Sequence, residues 1–211
     1  MSDATGAPTV EPDYDTDVWI EVPLEFPVAD LGTDEDWAEA LVEDALRAND
    51  GATGVAESVR DAAIAVARHP SGLASRRFWY FPLVAKTLSL VHFFELPRES
   101  ALEEMLVEFL GSHDHRSTDP VVTELMSAHG ERIVRVAFLA REGEGDMSQV
   151  YGVMRVARLS EASIDLFELV DEDLFAASTV IGDVEKLAVS IGRGPYRSED
   201  DMQPLVVEAG A

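Results

Sequence analysis

The chain has 211 residues, a formal net charge of −25 and a hydrophobic fraction of 46%. This length supports a substantial core, and the hydrophobic fraction is that of globular proteins, which excludes wholesale disorder. Cysteine is absent, so disulfides, thiol catalysis and cysteine-ligated metal sites are excluded.

The N-terminal segment MSDATGAPTVEPDYDTD is polar and acidic, which differs from the basic and then apolar order of a signal peptide. No apolar run approaches the length of a membrane span. We therefore expect a cytoplasmic protein. Residues 1–16 are predicted to be a disordered acidic tail, residues 17–192 a single domain, and residues 193–211 a C-terminal tail.

The first predicted element is an edge strand in DVWIEVPLEFP, which alternates apolar and polar residues and contains Pro23. TDEDWAEALVEDALRAND and VAESVRDAAIAVARHP then predict two amphipathic helices that form a hairpin. Thr33 and Asp36 have the spacing of a capping box at the start of the first helix.

The middle of the chain predicts two strands in RRFWYFP and KTLSLVHFFEL. RESALEEMLVEFLG predicts one helix with a capping box at Ser100 and Glu103. The apolar face of this helix is predicted to comprise Leu102, Met105, Leu106, Phe109 and Leu110.

Four further strands are predicted in VVTELMSA, ERIVRVAFLARE, SQVYGVMRVARL and ASIDLFELVD, and DEDLFAASTVIGDVEKLAVSIG predicts a closing helix. Because most strands follow one another in hairpin succession, the predicted fold class is α+β. It comprises a largely antiparallel sheet flanked by helices, an N-terminal helical hairpin and a closing C-terminal helix.

Aromatic residues adjoin two consecutive arginines in RRFWYFP, a combination typical of protein-binding surfaces. Arg76, Arg77, Trp79 and Phe81 are the predicted partner-binding residues, because alternation places Trp79 and Phe81 opposite the core residue Phe78. The alternative is that Phe78, Tyr80, Phe93 and Phe94 are core residues and that the two arginines end a strand in solvent. Five of the sixteen basic residues lie between Arg132 and Arg158, and whether they form one patch depends on strand register.

The sequence HDH places His113, Asp114 and His115 in a polar loop. Imidazole and carboxylate groups suit a divalent metal, but a polar loop of this kind is more often only solvated, so these residues are weak metal candidates. His92, within an apolar strand, fits a core histidine better than a general base. The motifs of serine hydrolases and phosphate-binding loops are absent from the sequence. We therefore predict no catalytic residues, no metal and no cofactor.

The segments ELMSAHGERIVRVAF, VYGVMRVARL, IDLFELVDEDLF and GDVEKLAVSIG follow one another within residues 75–192. In this order they resemble actinobacterial proteins of unassigned function that have a PsbP-like α/β/α sandwich. The resemblance implies an antiparallel sheet between helices, closed by a final helix. It also implies a non-enzymatic role in binding or assembly.

The predicted function is that of a non-enzymatic protein-binding or adaptor module. An acidic chain repels nucleic-acid phosphates and anionic lipid, so we expect neither nucleic acid nor a membrane as partner, and favour a cationic protein. One alternative is an acidic inhibitor or immunity protein that binds a basic partner. Another is a metal-dependent hydrolase that uses the HDH loop, and a homodimer would also fit an apolar interface.

Overall fold

Eight strands form one sheet in the computed structural model, which describes residues 12–48, 56–81, 89–143, 148–193 and 205–206. The strands are β1 (Trp19–Glu21), β2 (Arg76–Tyr80), β3 (Leu90–Pro97), β4 (Val121–Met126), β5 (Arg132–Glu142), β6 (Gln149–Leu159), β7 (Ser163–Asp171) and β8 (Leu205–Val206). Their spatial order is β1-β2-β3-β7-β6-β5-β4-β8, and every neighbouring pair is antiparallel. The α+β prediction is confirmed.

The helices of the described residues cover both faces of this sheet. They are α1 (Asp34–Ala48), α2 (Ala56–Arg68), α3 (Ser100–Glu104), α4 (Leu106–Gly111) and α5 (Leu174–Ser190). Helix α5 packs on one face, where its Val180 and Val184 join a core with Phe167 of β7. The α1–α2 hairpin and the α3–α4 pair cover opposite ends of the other face. Among the described helices, none is both long and apolar enough to cross a membrane.

Helix α1 begins with the predicted capping box. The Asp36 amide donates to Thr33 Oγ1 at 3.1 Å, and the Thr33 amide donates to Asp36 Oδ2 at 3.0 Å. Helix α5 is capped differently, because Asp173 Oδ1 accepts the amides of Phe175 and Ala176, each at 3.0 Å. These bonds satisfy amide groups that the first turn of a helix leaves without partners.

The predicted helix at 98–111 is two short helices, α3 and α4, which meet at Met105. The predicted capping box is wrong, because Glu99 occupies the N-cap position and no side chain caps α3. Leu106 and Leu110 are buried as predicted, whereas Met105 is 55% exposed and Phe109 is 38% exposed. The break at Met105 rotates part of the predicted apolar stripe away from the sheet.

Parts of both predicted tails belong to the folded domain. Asp13 accepts hydrogen bonds from the Arg76 guanidinium and the Gly192 amide, and the Tyr14 ring packs edge-on against Phe78 at 5.2 Å. Within the predicted C-terminal tail, β8 pairs with β4. Residues 13, 14, 205 and 206 thus contact the domain from within the predicted tails, and the domain boundaries stay a prediction. Residues 1–11 of the predicted N-terminal tail and residues 86–88 of the predicted strand KTLSLVHFFEL lie outside the described residues.

Candidate binding groove

The predicted interface residues of β2 do not form an exposed surface. Trp79 is fully buried, because the α1–α2 hairpin covers the face of the sheet onto which alternation directs it. Phe81 lies partly buried against the same core, with its ring 4.8 Å from that of Trp79. Alternation predicts the direction of the Trp79 and Phe81 side chains correctly. Their expected exposure is wrong, because helices cover both faces of the sheet at β2.

Arg77 is also buried, beneath the C-terminal end of α2. Its guanidinium donates to the carbonyl oxygens of His69 at 2.6 Å and Ala67 at 3.2 Å, and to that of Pro23. The last carbonyls of a helix lack partners within the helix and lie at the negative end of its dipole. Burial lowers the pKa of Arg77, and these carbonyls replace the carboxylate that a buried arginine usually meets.

Arg76 faces the other side of β2 and is half-buried. It binds the carboxylates of Glu21 and Asp13 at 2.8 Å and 3.0 Å, and it lies over the Phe78 ring. Although burial alone would lower the pKa of Arg76, the hydrogen bonds and charges of these two carboxylates raise it. The cation is thus neutralised within the domain.

The arginines between Arg132 and Arg158 do not form one surface patch. Arg135 pairs with Glu185 of α5 on one face, whereas Arg155 pairs with Glu168 and donates to the Leu110 carbonyl at the end of α4 on the other. Arg158 is buried with Asp165 and donates to the end of α5 at Ile191. Arg77, Arg155 and Arg158 therefore each hold a helix C-terminus. Because the chain has 41 acidic and only 16 basic residues, many acidic side chains have no cation to pair with, and the surface charge is mainly negative.

The HDH residues lie in the loop after α4. The His113 ring is 5.9 Å from that of His115, and His113 Nδ1 accepts the His115 amide at 3.1 Å. His113 also packs near Phe138 and Tyr151. Among the described residues, no group of three or more histidine, aspartate or glutamate side chains is arranged to hold a metal ion. This geometry adds no support to the hydrolase alternative.

His92 lies on β3 beneath the end of α2, in a cavity of about 370 Å³. Its ring is 5.7 Å from that of His69, and its buried Nε2 has no hydrogen-bond partner among the described residues. Burial lowers the pKa of His92, as does the neighbouring His69, while a hydrogen bond with the Pro70 carbonyl opposes them. The interpretation as a core histidine agrees with this position.

The α5 groove is an open cavity of about 370 Å³ between α5 and the strands β4 to β6. Its floor includes Ala137, Gly152 and Met154, and its walls include Val121, Leu174 and Ile181. Helix α5 packs closely over Gly152, where an added Cβ would lie 3.4 Å from both Ala177 Cβ and Leu174 Cδ2, at the limit of ordinary van der Waals contact. A mostly apolar cavity of this size is within the usual range for binding pockets.

Large apolar side chains remain exposed around the α5 groove. Val121 is 66% exposed, Leu174 is 42% exposed, and the adjacent Phe175 is 79% exposed. Single exposed apolar residues are common, but exposed apolar side chains that line one apolar cavity, as Val121 and Leu174 do, are typical of an interaction site. This part of the surface has the exposure that the sequence led us to expect at Trp79.

Acidic residues lie beside the apolar surface. Asp119 lines the groove, and Glu172 and Asp173 precede Leu174 at the start of α5. All three are exposed, and none forms an ion pair with a described cation. The α5 groove thus combines an apolar floor with a negative rim.

Strand β4, which supplies Val121, lies near an edge of the sheet. All six of its residues pair with β5, but β8 pairs only with Leu125 and Met126. From Val121 to Glu124, the outer side of β4 therefore has no strand beside it among the described residues. An edge of this kind can add a strand from another chain.

Sequence reasoning missed this surface, although two signals were present. Val121 and Val122 are consecutive, so strand alternation cannot turn both toward one core. Phe175 falls outside the helical stripe that contains Leu174, Ile181 and Val184. Each signal identifies an apolar side chain that the core leaves exposed, Val121 in the first case and Phe175 in the second.

Comparison of the chain with protein-family models, curated proteins and solved structures found no match. The resemblance to a PsbP-like sandwich therefore stays a prediction.

Proposed function

We propose that this protein is a non-enzymatic binding module that takes an extended segment of a cationic protein partner beside the α5 groove. The observation that carries the proposal is that Val121 and Leu174, two exposed apolar side chains, line the same groove next to an open stretch of β4. A strand added to β4 would place alternate side chains on the same face as Val121. Main-chain hydrogen bonds would supply affinity, and the groove would select apolar side chains.

The acidic residues at the rim of the α5 groove predict a positively charged partner. Asp119, Glu172 and Asp173 would attract lysine or arginine side chains that flank an apolar core. Complementary charge speeds association and excludes acidic competitors more than it adds affinity. The preferred partner segment is therefore extended, with apolar residues at alternate positions and a basic residue at one or both of its ends.

Labelled synthetic peptides that differ only in pattern test this proposal. The hexapeptide KVKVKV has the preferred pattern, EVEVEV reverses its charge, and KKKKKK lacks its apolar side chains. We expect fluorescence anisotropy to show binding of KVKVKV, with both other peptides weaker by about tenfold or more, the effect of one lost apolar contact or a charge mismatch.

A matched pair of variants locates the binding surface. Val121→Ser should weaken KVKVKV binding by about tenfold, because it removes one apolar side chain from the rim. Leu73→Ser is the control, since Leu73 is 93% exposed in the turn between α2 and β2, away from the groove. Equal binding by wild type and Val121→Ser, or equal binding of KVKVKV and EVEVEV, would contradict the proposal.

The acidic-inhibitor alternative is favoured by a separate observation, the excess of 41 acidic over 16 basic residues, which gives the chain a net charge of −25. An inhibitor of this kind would recognise charge over a broad area. It predicts that KKKKKK binds as well as KVKVKV and that 0.5 M salt, where screening extends over only about 4 Å, abolishes both interactions. Light scattering at several protein concentrations would identify a second copy of the chain as the occupant instead.

A further inference from the structure

Strand β8 occupies only one end of the outer edge of β4. Leu205 lies opposite Met126, and Val206 lies opposite Leu125. A two-residue strand makes few hydrogen bonds, so a longer strand can compete with it. Strand β8 and a partner strand would compete for those backbone groups of β4 that point away from β5.

The direction of the hydrogen bonds along β4 identifies these groups. The Ser127 amide donates to the Glu131 carbonyl across the β4–β5 turn, at 2.9 Å, so Ser127 faces β5. Because backbone groups alternate in direction along an antiparallel strand, those of Met126, Glu124 and Val122 face away from β5. Among the described residues, β8 covers Met126 and nothing covers the other two.

We propose that β8 is a displaceable strand, and that a partner strand spanning the whole of β4 removes it. This inference rests on the proposed function, since it requires that a partner strand adds to β4. A six-residue strand reaches Val122, Glu124 and Met126. It pairs with the backbone groups of Val122 and Glu124, and it replaces β8 at Met126. A four-residue strand fits along Val121–Glu124 and leaves β8 in place. Pairing with β8 thus offsets the gain that a longer partner segment would otherwise obtain at Met126.

Variants of Leu205 in the full chain test the displacement. Leu205→Pro removes the amide that pairs with Met126, and Leu205→Ala keeps it. Because Leu205→Pro loses one hydrogen bond between β8 and β4 that competes with the peptide, it should bind KVKVKV about three- to tenfold more tightly than wild type. Leu205→Ala should match wild type, and binding of the four-residue peptide KVKV should be the same in all three proteins.

Hydrogen exchange at the Leu205 amide gives a second readout that does not depend on affinity. Saturating KVKVKV should speed exchange of this amide in wild type, whereas KVKV should not. If KVKVKV binds and Leu205 stays protected, or if Leu205→Pro leaves its affinity unchanged, the displacement is wrong and the binding function stands. If neither peptide binds any of the proteins, both proposals are wrong.

Discussion

Trp79 and Phe175 show how two ends of one sheet treat similar side chains. Trp79 lies on β2 under the α1–α2 hairpin and is fully buried, whereas Phe175 begins α5 beside the α5 groove and is 79% exposed. Both are large aromatic residues next to other apolar residues. What differs is whether a helix is packed over them, so the surface function of an aromatic residue depends on its cover rather than on its local sequence.

Arginine shows the same contrast. At the hairpin end, Arg77 is buried with its guanidinium against the carbonyls of α2. Near the α5 groove, Arg141 is exposed at the end of β5. The first stabilises the fold by completing a helix terminus, and the second adds only surface charge. At the hairpin end, arginine and aromatic residues thus stabilise the fold, although the same residue types are common at binding surfaces.

The largest expected effect separates the two aromatic residues. Trp79→Ala should lower the free energy of unfolding by about 3–5 kcal/mol, because it empties a large space in the core between hairpin and sheet. Phe175→Ala should change it by less than about 0.5 kcal/mol, as is usual for exposed positions. Urea unfolding followed by far-UV circular dichroism measures both. Similar losses in the two variants would show that Phe175 also has a structural role.

A smaller effect is expected for the two arginines. Arg77→Met should lower the free energy of unfolding by about 2–4 kcal/mol, because it leaves several buried carbonyls at the end of α2 without a donor. Arg141→Met, the exposed control, should stay within about 0.5 kcal/mol of wild type. Amide hydrogen exchange would show which segment loses protection, and we expect faster exchange in α2. An Arg77→Met protein as stable as wild type would show that water replaces the guanidinium.

The sequence predicted this fold well, because its elements have strong periodicity. The four strands from β4 to β7 and the closing helix α5 each contain enough alternating or helical repeats to identify them. The order of elements then favoured an antiparallel sheet, since short connections join neighbouring strands. The capping box of α1 was also predictable, because Thr33 and Asp36 interact within one turn.

The binding surface was harder to predict, because it depends on contacts between distant segments. The segment RRFWYFP contains no sign that α1 and α2 will cover its second face. Likewise, Val121 and Leu174 are 53 positions apart and meet only when β4 and α5 lie beside β5 and β6. Local pattern fixes the direction of a side chain, whereas its exposure depends on what packs above it.

The smallest expected effect concerns pH at the hairpin end. Because burial lowers the pKa of His92, the folded protein keeps this imidazole neutral at pH values where the unfolded chain, with a histidine pKa of about 6.5, would bind a proton. The unfolded state therefore takes up more protons as the pH falls below about 6.5, and the stability of the fold decreases until the folded-state pKa is passed. Above that range His92 contributes no dependence on pH.

His92→Gln should remove this part of the pH dependence, since glutamine does not titrate. We expect the drop in unfolding free energy between pH 7.5 and pH 5.5 to be smaller in His92→Gln than in wild type. His129→Gln is the control, because His129 is exposed in the turn between β4 and β5, and its variant should follow wild type. Equal pH dependence in all three proteins would mean that acid reaches His92 without opening the hairpin. In that event the cavity beneath α2 would be hydrated, and the hairpin end would be less completely covered than the burial of Trp79 implies.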